Sequence, residues 1–140
     1  MRAHHQLRVW QAAMVLVREV YAVSAQFPAE ERFGLTAQIR RSAVSVPSNI
    51  AEGAALASRR EFSHFLVIAR GSLSELDTQL RIAQDLGFCD AAELIKTIEM
   101  LFALLAGLLR AQAATKSGSA DSSRAAQPRS DEVAQATDLA

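Results

Sequence analysis

From Leu7 onward, apolar residues return every three or four positions in four successive stretches, and each stretch is bounded by residues that start or stop helices. In the first, Leu7, Trp10, Met14, Val17 and Tyr21 predict a helix over about residues 7–26 that stops at Phe27-Pro28. Val9, Ala13, Leu16, Val20 and Val23 widen its apolar arc and leave a narrow polar strip of Arg8, Gln11, Arg18 and Glu19. The second stretch carries Leu35, Ile39, Ala43, Val46 and Ile50 on one face and should end between Gly53 and Ala57. Pro47 falls inside it, removes a hydrogen bond to the Ala43 carbonyl and predicts a kink.

The third helix has the clearest start. Ser58-Arg59-Arg60-Glu61 reads as a capping box, and Phe62, Leu66, Ala69, Leu73, Leu76, Leu80 and Ala83 follow as an unbroken seam ending at Gly87. The fourth is expected from Asp90 to about Ala111 through Leu94, Ile98, Leu101, Leu105 and Leu108, with Ile95, Phe102, Leu104 and Leu109 broadening its arc. Long helices joined by short connections predict an all-α fold, an antiparallel up-down-up-down four-helix bundle over residues 1–112. From Ala113 the chain loses aromatic residues and apolar periodicity, so residues 113–140 are expected to form a disordered C-terminal tail.

Composition agrees and narrows the field. Six Gly and three Pro in 140 residues are too few for a loop-rich β-sandwich. The longest uncharged apolar run, residues 100–109, is half the length of about 20 that a membrane-spanning helix needs. The first residues are polar, with no signal-peptide core, which predicts a cytoplasmic protein that does not engage membranes. The broad apolar arcs of the first and fourth helices exceed what one bundle can cover, and a closed homo-oligomer is the expected consequence.

Candidate chemistry is confined to a few places. Gln38, Ser42, Ser45, Asn49 and Glu52, with Arg41 alongside, form one polar stripe on the second helix, and Glu61, Ser72, Glu75 and Gln79 offer a counterpart on the third. Arg41 is expected to pair with Glu75 or Glu52, making Gln38, Arg41, Ser45, Asn49, Glu52, Ser72 and Glu75 an interhelical network that fixes packing. No histidine or other base accompanies the serines and no phosphate-binding glycine loop precedes a helix, so no catalytic residue is assigned. Glu61 and His64 make a single Glu-x-x-His pair where a bundle metal site needs two, so neither a metal nor another cofactor is expected. His4 and His5 read as solvated terminal residues, and Cys89, the one cysteine, as an incidental thiol.

Thirteen of the fifteen basic residues are arginines, the side chain best suited to phosphate, although fifteen acidic residues cancel them. Arg40 and Arg41 project about 100° apart and do not share a face. Arg70 and Arg81 lie near Asp77 as expected surface ion pairs. Arg59 and Arg60 open the third helix, where the N-terminal dipole also favours anions. The alternative to a purely structural protein is therefore weak, salt-sensitive binding of RNA or DNA by arginines that an oligomer displays in several copies.

Three segments, LRVWQAAMVLVREVYAVSAQFP, GLTAQIRRSAVSVPSNIAEGAA and SRREFSHFLVIARGSLSELDTQLRIAQDLGF, together resemble the 23S rRNA intervening sequence protein family across about residues 7–109. Residues 38–53, QIRRSAVSVPSNIAEG, carry the most specific part of the likeness, and SLSELDTQL, residues 72–80, the next. The resemblance implies a homopentameric bundle without enzymatic activity. Some members are encoded within insertions in ribosomal RNA genes, and a related bundle serves diversity-generating reverse transcriptases as an accessory protein implicated in nucleic-acid contact. Gln38, Arg41, Ser45, Asn49, Glu52, Ser72 and Glu75 match the motif, which assigns none of them a catalytic role. The implied function is that of a scaffold or adaptor whose main partner is itself.

Overall fold

The computed structural model describes residues 2–124, and side chains as far as residue 114. It contains α1 (Arg8–Ser24), α2 (Leu35–Ala55), α3 (Arg59–Asp85) and α4 (Ala92–Arg124), with single-turn 3-10 segments at Ala3–Gln6 and Ala29–Glu31. There is no strand among the described residues. The described residues up to Leu109 form one compact unit, and those from Arg110 onward belong to a second.

In the first unit the helices alternate in direction and bury one stripe each. Val9, Ala13, Leu16 and Val20 of α1 meet Ile39, Ala43, Val46 and Ile50 of α2, the predicted seam of α3 from Leu66 to Ala83, and Leu94, Ile98, Leu101 and Leu105 of α4. Every one of these steps by three or four residues, which is the period of a helix face. For α1 the centre of the stripe differs from the expected one. Trp10 and Val17 are only half-buried and Tyr21 is exposed, while Val9, Ala13, Leu16 and Val20 point inward. When apolar residues cover more than half a helix, their spacing leaves the inward direction open, and the small Ala13 marks the side where the neighbouring backbones approach.

The ends of the helices follow local chemistry. Ser58 Oγ accepts a 3.1 Å hydrogen bond from the Glu61 amide, capping α3 as the sequence predicts. At the other end Gly87 takes φ 77°, its amide donates to the Gln84 carbonyl and the Phe88 amide to that of Ala83, the paired bonds of a Schellman motif. Phe88 then reaches Phe27 from the α1–α2 connection, ring centroids 5.8 Å apart, tying two connections at one end of the bundle. Asp90 Oδ1 accepts from the Ala92 amide at 3.0 Å as α4 begins. The helical backbone of α4 continues beyond the end near Ala111 that the apolar pattern gives and is assigned through Arg124. The extension holds Ala113, Ala114 and Ala120 among four serines, a threonine and Gly118, so it adds turns to a helix already nucleated without continuing the apolar period of the bundle. The remainder of the expected tail, residues 125–140, lies outside the described residues.

Pro47 is accommodated inside α2 and buried. Two side chains following it return hydrogen bonds to the preceding turn: Ser48 Oγ donates to the Val44 carbonyl and Asn49 Nδ2 to the Ser45 carbonyl, each at 2.8 Å. They supplement the carbonyls that the proline turn loosens. Gly53, near the end of α2, is buried against Phe62 and Phe65 of α3.

Candidate functional site

The polar stripe of α2 faces α3 across an open groove of about 380 Å³ lined by Gln38, Arg41, Ser42, Ser45, Ser72, Glu75 and Gln79. Its floor is a short hydrogen-bonded chain. Asn49 Nδ2 donates to Ser45 Oγ at 2.9 Å, and Ser45 Oγ stands 2.8 Å from Ser72 Oγ. Because the Ser45 oxygen already accepts from Asn49, its own proton is free to go to Ser72. The three half-buried residues thus form the interhelical part of the predicted network.

The charged members do not join it. Gln38, Arg41, Glu52 and Glu75 are exposed, and neither the Arg41–Glu75 nor the Arg41–Glu52 ion pair forms. The ion pairs seen among the described residues are Arg81–Asp77 and Lys96–Glu93, both on the surface. Desolvating a guanidinium and a carboxylate costs more than an imperfect pair returns, so long side chains on the flank of a helix extend into water. Gln79, by contrast, is buried, and its Oε1 has no hydrogen-bond partner. Asn49→Ala should therefore lower stability by about 1 kcal/mol, the usual loss for a net hydrogen bond in a partly buried chain. Glu52→Ala should remain within about 0.5 kcal/mol of wild type in the same urea titration.

A second cavity, about 480 Å³, lies where α1 ends beside the start of α2 and is lined by Tyr21, Arg32, Phe33, Thr36, Ala37, Arg40, Arg41 and Val44. Arg40 is held there, its Nε donating to Ser24 Oγ at 2.9 Å and its guanidinium lying 4.5 Å from the centre of the Tyr21 ring. It sets a cation against the last turn of α1, where the helix dipole is negative. Helical spacing alone pairs Arg40 with neither residue, because the contact depends on how α1 and α2 align.

The other sequence-derived candidates stand apart from both cavities. Arg59 and Arg60 are exposed at the start of α3 beside the exposed Glu61. His64 is also exposed, with its ring against Phe65, and no group of three or more metal-ligating side chains gathers among the described residues. His4 and His5 are not free in solvent as expected. Both are half-buried with their rings against Trp10, and desolvation together with the neighbouring His5 and Arg2 lowers the His4 pKa. Burial, then the Asp90 carboxylate, raises the Cys89 pKa and keeps it a thiol rather than a thiolate.

No helix among the described residues is long and apolar enough to cross a membrane. The profile of the family described as 23S rRNA-intervening sequence protein matches residues 5–109, a span holding both cavities and the four buried stripes. None of the curated proteins compared with the chain matches it.

Proposed function

The chain belongs to the 23S rRNA-intervening sequence protein family, and from that premise we propose that it is a non-enzymatic helical bundle that assembles with copies of itself and serves as a scaffold or adaptor. The observation that carries this reading is a second seam on α3. Ile68, Ser72, Glu75, Gln79, Ile82 and Leu86 step by four and three residues along the flank of the buried leucines, and Ile68, Ile82 and Leu86 are exposed. Apolar side chains at both ends of a polar centre, with the uncompensated amide oxygen of Gln79 among them, make a face suited to a matching helix. The sequence pattern put the excess apolar surface on the first and fourth helices. Much of that surface, including Trp10, Val17, Phe102 and Leu108, packs against the protomer's own core. Family resemblance supports five copies.

Ser45 and Ser72 in the polar groove are engaged with each other and with Asn49, which supports a packing role for them. Light scattering on the purified protein should give a multiple of the 15.1 kDa protomer mass. Ile82→Glu should shift that mass downward while leaving helical circular dichroism intact. A wild-type protein that scatters as a monomer at micromolar concentration would refute self-assembly.

A further inference from the structure

Beyond self-assembly, and independently of it, we infer that the cavity between the end of α1 and the start of α2 is a binding site for a single strand of nucleic acid, with phosphate held by Arg32 and Arg41 and a base stacked on Phe33. Three guanidinium groups reach this cavity and no acidic side chain lines it, in a protein whose formal charge is zero. None of the three arginines is in an ion pair. Arg40 is committed to Ser24 and Tyr21, whereas Arg32 and Arg41 are exposed and their guanidinium groups make no hydrogen bond. Glu31, next to Arg32 in sequence, is turned to the start of α2, where its Oε2 accepts from the Leu35 amide at 3.1 Å, and Glu75, which lines the neighbouring groove with Arg41, forms no ion pair with it.

The aromatic component is equally specific in placement. Phe33 is 89% exposed, and the Arg32 guanidinium lies 5.3 Å from the centre of its ring. A largely exposed phenyl ring beside arginines free of ion pairs is an arrangement by which proteins stack an unpaired base while neutralising its phosphate. A duplex keeps its bases stacked on one another and cannot use the ring, so the geometry selects single strands. Thr36 adds an independent sign of a missing ligand. It lines the cavity, is 7% exposed, and its Oγ1 is buried without a hydrogen-bond partner. Buried hydroxyls are nearly always paired, and a phosphate or base-edge acceptor would complete this one. Arg59 lines a smaller cavity of about 270 Å³ with Phe62, but that ring is half-buried against the core, one arginine rather than three reaches the cavity, and Glu61 stands beside it in sequence.

Fluorescence anisotropy with labelled mixed-sequence oligonucleotides tests the assignment. The wild-type protein should bind single-stranded RNA or DNA at low salt more tightly than the matching duplex. Arg32→Ala and Arg41→Ala should each weaken binding and reduce the slope of log affinity against log salt by about one. Phe33→Ala should weaken binding by roughly 5- to 150-fold, the range for loss of one stacked base, and Phe33→Trp should restore it. Arg59→Ala should change little. Melting curves on each variant establish folding, which substitution of so exposed a ring should not disturb. Absence of binding at low salt, equal affinity for duplex, or indifference to both Phe33→Ala and Arg41→Ala would overturn the proposal. Displacement by polyglutamate as effective as by unlabelled RNA would overturn it in favour of an acidic protein partner. Light scattering on the same samples separates the two readings, since an oligomer that ignores nucleic acid sinks only this one and a monomer that binds it sinks only self-assembly.

Discussion

Replacing Gly53 with alanine should destabilise the bundle, while the same change at Gly71 should stabilise it. Both glycines lie inside helices, and in each case alanine has the better intrinsic propensity by about 1 kcal/mol. At Gly71 an added methyl meets nothing within 4 Å, so the propensity gain should appear nearly whole. At Gly53 the added Cβ would stand 2.8 Å from Phe65 Cβ, 3.1 Å from Phe62 Cδ2 and 3.3 Å from the Phe62 carbonyl oxygen. A Cβ and a carbonyl are fixed to the backbone and cannot swing aside, so α2 and α3 must move apart. Overpacking of this kind costs roughly 1–3 kcal/mol and a forced backbone shift lies at the upper end, so it outweighs the propensity gain. For a domain of this size each kcal/mol moves the melting temperature by about 4–8 °C, so thermal melts of the two variants should depart from wild type in opposite directions. A Gly53→Ala melt at or above the wild-type temperature would show that the helices can yield at their closest approach.

The largest single loss should come from Leu76→Ala. Leu76 is fully buried midway along the α3 seam, surrounded by the stripes of the other three helices. Truncation removes buried methyl groups and leaves a cavity that side chains anchored on rigid helices cannot fill, at about 2–5 kcal/mol. Total stabilities of domains are only about 5–15 kcal/mol, so this one change consumes a large part of the margin. Chemical denaturation should give a midpoint far below wild type with a similar slope. Val15→Ala, on the exposed side of α1, provides the comparison and should be close to neutral.

These two experiments fall on either side of what could be read from the sequence. The α3 seam was legible because a capping serine, an unbroken heptad and a terminal glycine all specify the same helix in the same register. Leu76 is buried for that reason. Gly53 reads from sequence as a helix end, since glycine marks C-termini more often than interiors. Its contact with Phe62 and Phe65 exists only once α3 folds back over α2. The candidate site divides in the same way. Ser45, Asn49 and Ser72 lie at spacings that bring short hydroxyl and amide groups face to face, and they do bond. Arg41, Glu52 and Glu75 share that stripe but have side chains long enough to choose water, a choice that helical spacing does not reveal. The cavity around Phe33 draws on α1, the following connection and α2, three segments with no common periodicity, and therefore leaves no signature in the hydrophobic pattern.

The connection between α2 and α3, residues 56–58, is among the shortest that can reverse a helix. Closing so small a loop forfeits little chain entropy, and the contacts it brings together are near neighbours in sequence. Because a chain is synthesised from its N-terminus, α2 and α3 can pair on the ribosome while α4 is still being made. During that interval the leucines of α3 that later meet Leu94, Ile98, Leu101 and Leu105 remain uncovered. Biogenesis of the bundle thus passes through a sticky hairpin, and the pace at which α4 emerges determines how long that hairpin is open to aggregation or to capture by a chaperone.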